Sequence, residues 1–171
     1  MEEFTRWLGG TELSLLIQST LWVIPAVQSV HIIAIAVLFG SSLMLNLRIL
    51  GFVSRDQTLA QVNRRFGPWF WFALVVLAAT GVILTIGEPR RELMSFSFWV
   101  KMAFLAVGIA VTIAQQLYLK SNSDRWEREL VSAPSAKVMA VGVMVIWLVV
   151  ILMGRLIAFD PQFWGSLSPL A

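Results

Sequence analysis

Four apolar runs, each about 20 residues long, constrain this chain before any motif does. They are Leu21 to Leu45, Pro68 to Ile86, Phe98 to Leu119 and Val138 to Phe159. A spanning helix needs roughly 20 apolar residues to cross a bilayer core about 30 Å thick. Hydrocarbon offers no partner for backbone N–H and C=O groups, so a spanning segment must satisfy them internally, as a helix does. The rest of the chain agrees. Of 171 residues, 58% are apolar and 13% charged, and the mean hydropathy is +0.78, a composition that leaves no material for a second, polar domain.

Each run is followed by a short polar stretch, so consecutive helices are expected side by side with alternating direction. The expected fold is all-α: an integral membrane antiparallel four-helix bundle forming one transmembrane domain over residues 1–171. The segment Glu12 to Thr20, ahead of Pro25, reads either as a short interfacial helix or as the first turns of a long, kinked first helix, because proline removes one backbone bond and bends what precedes it.

Basic residues near the helix ends set the expected orientation. The connection after the first run carries Arg48, Arg55, Arg64 and Arg65, and that after the third carries Lys120, Arg125, Arg128 and Lys137. The opposite side carries Arg6, Arg90, Arg91 and Arg155, with Lys101 near the same end. Both termini are therefore expected outside the cytoplasm. The first residues, Met1, Glu2 and Glu3, lack a basic leader segment, so no cleaved signal peptide is expected. The net charge of +3 does not suggest nucleic acid. The absence of cysteine excludes disulfides, thiolate metal sites and iron–sulfur clusters.

Polar residues inside the runs are few. The single histidine, His31, sits about 15 Å below Leu21 at 1.5 Å per helical residue. An imidazole in hydrocarbon is costly unless it is hydrogen-bonded or ligates something. Lys101 and Arg155 each lie about one turn inside their runs from the same outer surface. Three helices thus bring a nitrogen-bearing side chain to the outer half. That set suits an anionic cofactor with a central metal. Haem b fits, with His31 as metal ligand and Lys101 and Arg155 pairing with the propionates, and Phe39, Phe72, Phe104, Trp99 and Trp147 as flat apolar walls. Each element also has a plainer reading. His31 could hydrogen-bond across helices to Thr80 or Gln115, and Lys101 and Arg155 could extend to lipid headgroups. The tryptophans Trp69, Trp71, Trp99 and Trp126 read as interfacial belt residues. No phosphate-binding loop or Ser–His–Asp set is present, and the acidic residues lie outside the runs.

The run Gln28-Ser29-Val30-His31-Ile32-Ile33, then Gly40 and Leu47-Arg48-Ile49-Leu50-Gly51, resembles the first helix of small bacterial four-helix membrane proteins. That group includes protoporphyrinogen oxidase of the HemJ type and the membrane domain of the copper-resistance protein CopD. Thr80-Gly81 and Phe98-Trp99-Val100-Lys101 are similar to the Thr-Gly and Trp-x-x-Lys patterns of those families, and the likeness covers about two-thirds of the chain. It implies the bacterial inner membrane, haem b tied to His31 and Lys101, and Arg48 as the matching helix-one arginine. With one histidine, a bis-histidine haem would take His31 from two copies across a symmetric interface; otherwise the iron is five-coordinate or takes a sixth ligand such as deprotonated Lys101. Three readings follow. They are a haem b membrane protein with a redox or porphyrin-handling role, a non-catalytic accessory or oligomer-forming subunit of a larger membrane complex, and a CopD-like copper carrier using His31 with Met44 and Met102.

Overall fold

The computed structural model describes residues 1–54, 56–121 and 134–169. Arg55, Arg125, Trp126 and Arg128 lie outside the described residues, as do the side chains of Tyr118 and Lys120. The described chain is helical, and no strand occurs in it. Two short helices, α1 (Glu2–Gly9) and α2 (Glu12–Ser19), precede α3 (Val23–Ile49) and α4 (Leu59–Gly87). Then follow α5 (Pro89–Leu93), α6 (Phe96–Ser121) and α7 (Pro134–Leu156), a 3₁₀ turn over Ile157–Phe159, α8 (Asp160–Trp164) and a second 3₁₀ turn over Gly165–Leu167. Helices α3, α4, α6 and α7 are long and apolar enough to cross a membrane, and the chain is an all-α membrane bundle.

The ends of these helices follow from local chemistry. α4 begins at Leu59, nine residues before the apolar run. The reason is a capping box: Gln61 N–H donates to Thr58 Oγ1 at 3.1 Å, and Thr58 N–H donates to the Gln61 side chain at 2.8 Å. Pro68 therefore lies inside the helix, where it removes a single backbone bond. α3 takes Pro25 at its third residue, where a missing N–H costs nothing because that donor has no intrahelical acceptor. The chain turns at Thr20 (φ −94°, ψ 90°), so Glu12–Ser19 forms a separate helix. Of the two readings of that segment, the separate helix is the one the structure adopts. At the far end of α3, Gly51 takes φ +80°, a left-handed stop that glycine adopts without penalty.

In the bundle α3 packs along α4 and also against α7, α7 packs along α6, and α4 and α6 touch over a short seam. Mid-bundle, Leu38 of α3, Phe70 and Ala73 of α4, and Val143 and Trp147 of α7 form one apolar cluster. Nearer the α3–α4 connection, Leu45, Ile49, Leu59, Val62, Ala136 and Ala140 form another. The outward faces carry Ile32, Ile33, Val75, Val82, Val145 and Leu152, all exposed, as a lipid-facing surface requires.

The short helices gather at the end of the bundle that holds the termini. Ser14 is fully buried, and its hydroxyl donates to the Ile86 carbonyl at 2.6 Å, satisfying an acceptor that the last turn of α4 leaves open. Gly87 makes this docking sterically possible, since a Cβ there would lie 2.9 Å from Ile17 Cγ2 and 3.6 Å from Ile24 Cδ1. On the other side, fully buried Asp160 caps α6 from a distant part of the chain. Its carboxylate accepts the Phe96 and Ser97 N–H groups at 3.0 and 2.8 Å, and the Ser95 and Ser168 hydroxyls at 2.8 and 2.6 Å. A negative charge at a helix N-terminus is favoured both by these donors and by the helix dipole.

Asp160→Ala should lower stability by about 3 kcal/mol, because four buried donors lose their acceptor. Thermal unfolding in detergent measures it, and Asp160→Asn should recover part of the loss. Gly87→Ala should cost about 1–3 kcal/mol through overpacking. Pairing it with Ile17→Ala should make the two costs less than additive, and strictly additive midpoints would argue against the contact.

Candidate functional site

His31 lies about 12 Å along α3 from Val23 and is half-buried. Its Nδ1 stands 2.7 Å from Thr80 Oγ1 on α4. The Thr80 hydroxyl is also 2.7 Å from the Val76 carbonyl, the usual backward bond of a helical threonine. With its one proton on that carbonyl the oxygen accepts from Nδ1–H and the lone pair lies on Nε2; with the hydroxyl proton turned to Nδ1 the tautomer is the reverse. Nε2 meets no hydrogen-bond partner among the described residues. Gly81 lies beside the ring, and a Cβ there would make an ordinary contact with His31 Cε1, at 3.9 Å.

Lys101 of α6 reaches the same region. Its stem lies against Gly154 of α7, where a Cβ would come within 3.6 Å of Lys101 Cδ, and its Nζ stands 5.0 Å from the centre of the Phe98 ring, within cation–π range. The ammonium is close enough to His31 and to Glu92 of α5 for charge interaction with both. Burial raises the Glu92 carboxyl above its ordinary value, a shift opposed by Lys101 and Arg91 and reinforced by Glu88. Arg91 itself is tied to Glu88 at 2.6 Å.

The other residues singled out from the sequence do not all converge here. Arg155 is exposed on α7 beside Gly154. Arg48 is buried about 25 Å further along α3, with its Nε donating to the Gln57 carbonyl at 2.8 Å, so it holds the α3–α4 connection. Of the aromatic residues expected as walls, Trp147 is buried in the mid-bundle core, edge to face with Phe70 at 5.4 Å. Phe72, Trp99 and Phe104 are exposed. Of the two partners considered for His31, Thr80 makes the bond, whereas the Gln115 amide donates to Asn46 at 2.9 Å. Among the described residues no three His, Cys, Asp or Glu side chains converge. A metal held at His31 would therefore have one protein imidazole and draw its remaining donors from elsewhere.

Asp160 is a structural centre that the sequence does not single out. Ser95-Phe96-Ser97 marks the start of the helix, but nothing local to it points to a carboxylate more than sixty residues away.

The fold and its polar interior define a multi-pass helical membrane protein with one imidazole presented between two helices. The profile of DUF6644, a family of unknown function, matches residues 9–160, and the chain belongs to that family. Comparison with curated proteins and with solved structures finds no match.

Because Glu92 holds its proton to higher pH in the folded protein than in the unfolded chain, its burial costs nothing while it is protonated. Stability is lost as pH rises from 4.5, its ordinary value, through the raised one. Glu92→Gln should remove that term. Its unfolding midpoint should match the unsubstituted protein under acid conditions and exceed it progressively as pH rises. Parallel pH profiles for the two proteins would contradict the assignment.

Proposed function

We propose that this protein is a haem b-binding membrane protein with a redox or porphyrin-handling role, and that His31 Nε2 is the axial ligand. The observation that carries the reading is the His31–Thr80–Val76 hydrogen-bond chain. A metal-ligating histidine almost always donates its other ring N–H to a fixed acceptor, which sets the tautomer and the ring plane and raises the basicity of the ligating nitrogen. Thr80 is placed to do this.

The donor set favours a tetrapyrrole over a bare ion. One imidazole is too few ligands for a zinc or copper site, which takes three or four protein donors, whereas haem brings four nitrogens of its own and asks one or two of the protein. When bound it supplies a one-electron couple. The residues of this chain would do the rest: Thr80 orients the imidazole, Gly81 lies beside it, and Lys101 brings a cation that can pair with a propionate. The described residues enclose no haem-sized cavity beside His31, so the remaining faces would be covered by lipid or by a second copy, and the homo-oligomer enters the proposal at this point. The likeness of the His31, Thr80-Gly81 and Lys101 stretches to the HemJ-type and CopD proteins supports the same reading, and the proposal includes a bacterial inner-membrane location with both termini outside the cytoplasm.

The same hydrogen bond favours a second reading, in which His31 only ties α3 to α4 in an accessory subunit of a larger membrane complex. Absorption spectra of the detergent-purified protein, oxidised and dithionite-reduced and after incubation with hemin, separate the two. The haem reading expects a Soret band with reduced α and β bands, lost in His31→Ala. Thr80→Val should weaken haem affinity about tenfold to a hundredfold. A protein that stays colourless with hemin, and whose stability falls in both variants, would leave His31 as an interhelical tie.

A further inference from the structure

A second polar centre lies deep in the bundle, about 22 Å along α3 from His31, where α3, α4 and α6 meet. Asn46 is fully buried and Gln115 is 2% exposed. The directions of the Asn46, Gln115 and Gln116 amides are set by groups that cannot reverse their role. The Ser42 carbonyl only accepts, so Asn46 Nδ2 donates to it, at 2.8 Å. Asn46 Oδ1 must then accept, and it does so from Gln115 Nε2 at 2.9 Å. That leaves Gln115 Oε1 as an acceptor with no partner. Likewise the Trp71 indole N–H only donates, to Gln116 Oε1 at 2.8 Å. The amide nitrogen of Gln116 is therefore turned to the side of Gly67, where a Cβ would stand 4.0 Å from it and 3.3 Å from Asn63 Oδ1.

Three buried oxygens converge without partners: Gln115 Oε1, Asn63 Oδ1 and Thr112 Oγ1, with Thr112 only 3% exposed. All three residues line one cavity, together with Ser41, Ser42 and Gly67. It has about 10 Å³ open to the centre of a water-sized sphere, which is room for one water molecule. Leaving buried acceptors unpaired in this setting is expensive. Two of the three orphan atoms can only accept and the third can donate, which is the complement of a single water. No Asp or Glu lines the cavity, so a cation would enter without a counter-charge, at a steep desolvation cost.

We propose that this cavity binds one structural water, which accepts from the Thr112 hydroxyl and donates to Gln115 Oε1 and Asn63 Oδ1. It joins α4 to α6 across the short seam where those helices touch, and through Gln115 and Asn46 it extends the link to α3. Neither reading of His31 enters this assignment. The seam is closed by a shared hydrogen-bonding molecule more than by apolar interlock.

The decisive experiment is an experimental density map of the unsubstituted protein, fine enough to show ordered solvent, paired with thermal midpoints in sodium chloride and in choline chloride. The expected result is a single peak at roughly 2.7–3.1 Å from the three oxygens, with the same midpoint in both salts. Thr112→Val should lower the midpoint by a few degrees, and Thr112→Ser, which keeps the hydroxyl, should stay near the parent. A peak ringed by five or six oxygens at roughly 2.4 Å, with a higher midpoint in sodium, would overturn the proposal in favour of a monovalent cation. A map with no peak and with Gln115 Oε1 paired directly to Thr112 would overturn it in favour of a closed side-chain network.

Discussion

A polar group placed in hydrocarbon must find its partner inside the protein, and the internal organisation of this bundle follows from that requirement. The long helices satisfy their own backbones, which leaves helix ends and a handful of side chains to be settled. Helix ends are settled by Ser14 on the last turn of α4 and by Asp160 on the first turn of α6. Side chains are settled in pairs that cross between helices, His31 with Thr80 and Asn46 with Gln115. Apolar contacts fill the space between these points, yet they discriminate weakly among arrangements when lipid is as apolar as the core. The polar pairs are therefore what select the register of α3 against α4 and of α3 against α6.

The end of the bundle near the termini shows how short elements serve this economy. Helices α1, α2, α5 and α8 do not span anything; they close over the ends of the long helices, where α2 brings a donor to an open carbonyl and α8 an acceptor to open N–H groups. Asp160 reaches α6 from more than sixty positions away and holds its first turn, from which Lys101 projects one turn further on. The placement of Lys101 beside Gly154 thus depends on a carboxylate that touches neither His31 nor Lys101. A substitution in the C-terminal segment would be felt at the imidazole through this route.

The two polar centres have different characters. At the outer one, the histidine spends Nδ1 on Thr80, and Nε2 meets no partner among the described residues. At the deeper one, the Asn46, Gln115 and Gln116 amides have fixed donor and acceptor roles, and buried oxygens on residues that line one cavity are without partners. Between them lies the apolar cluster around Leu38, Phe70 and Trp147, and substitutions at the two centres test them separately.

The number of spanning helices, their apolar character and the singular status of His31 were legible in the chain because each depends on local composition and on the length needed to cross a bilayer. Among the residues prominent in sequence, His31 and Thr80 meet across α3 and α4, whereas Arg48 holds a connection at the other end. The apolar run from Pro68 marks the stretch that suits hydrocarbon, while the helix itself starts nine residues earlier, at the capping box of Thr58. What sequence could not reveal were the partners: that Thr80 rather than Gln115 takes His31, that Gln115 instead takes Asn46, and that Asp160 caps a helix more than sixty residues upstream. Periodicity says which residues a helix carries and not how far it is turned or slid against its neighbours. Those two quantities are decided only when every buried donor and acceptor is paired at once, which is a property of the assembled bundle.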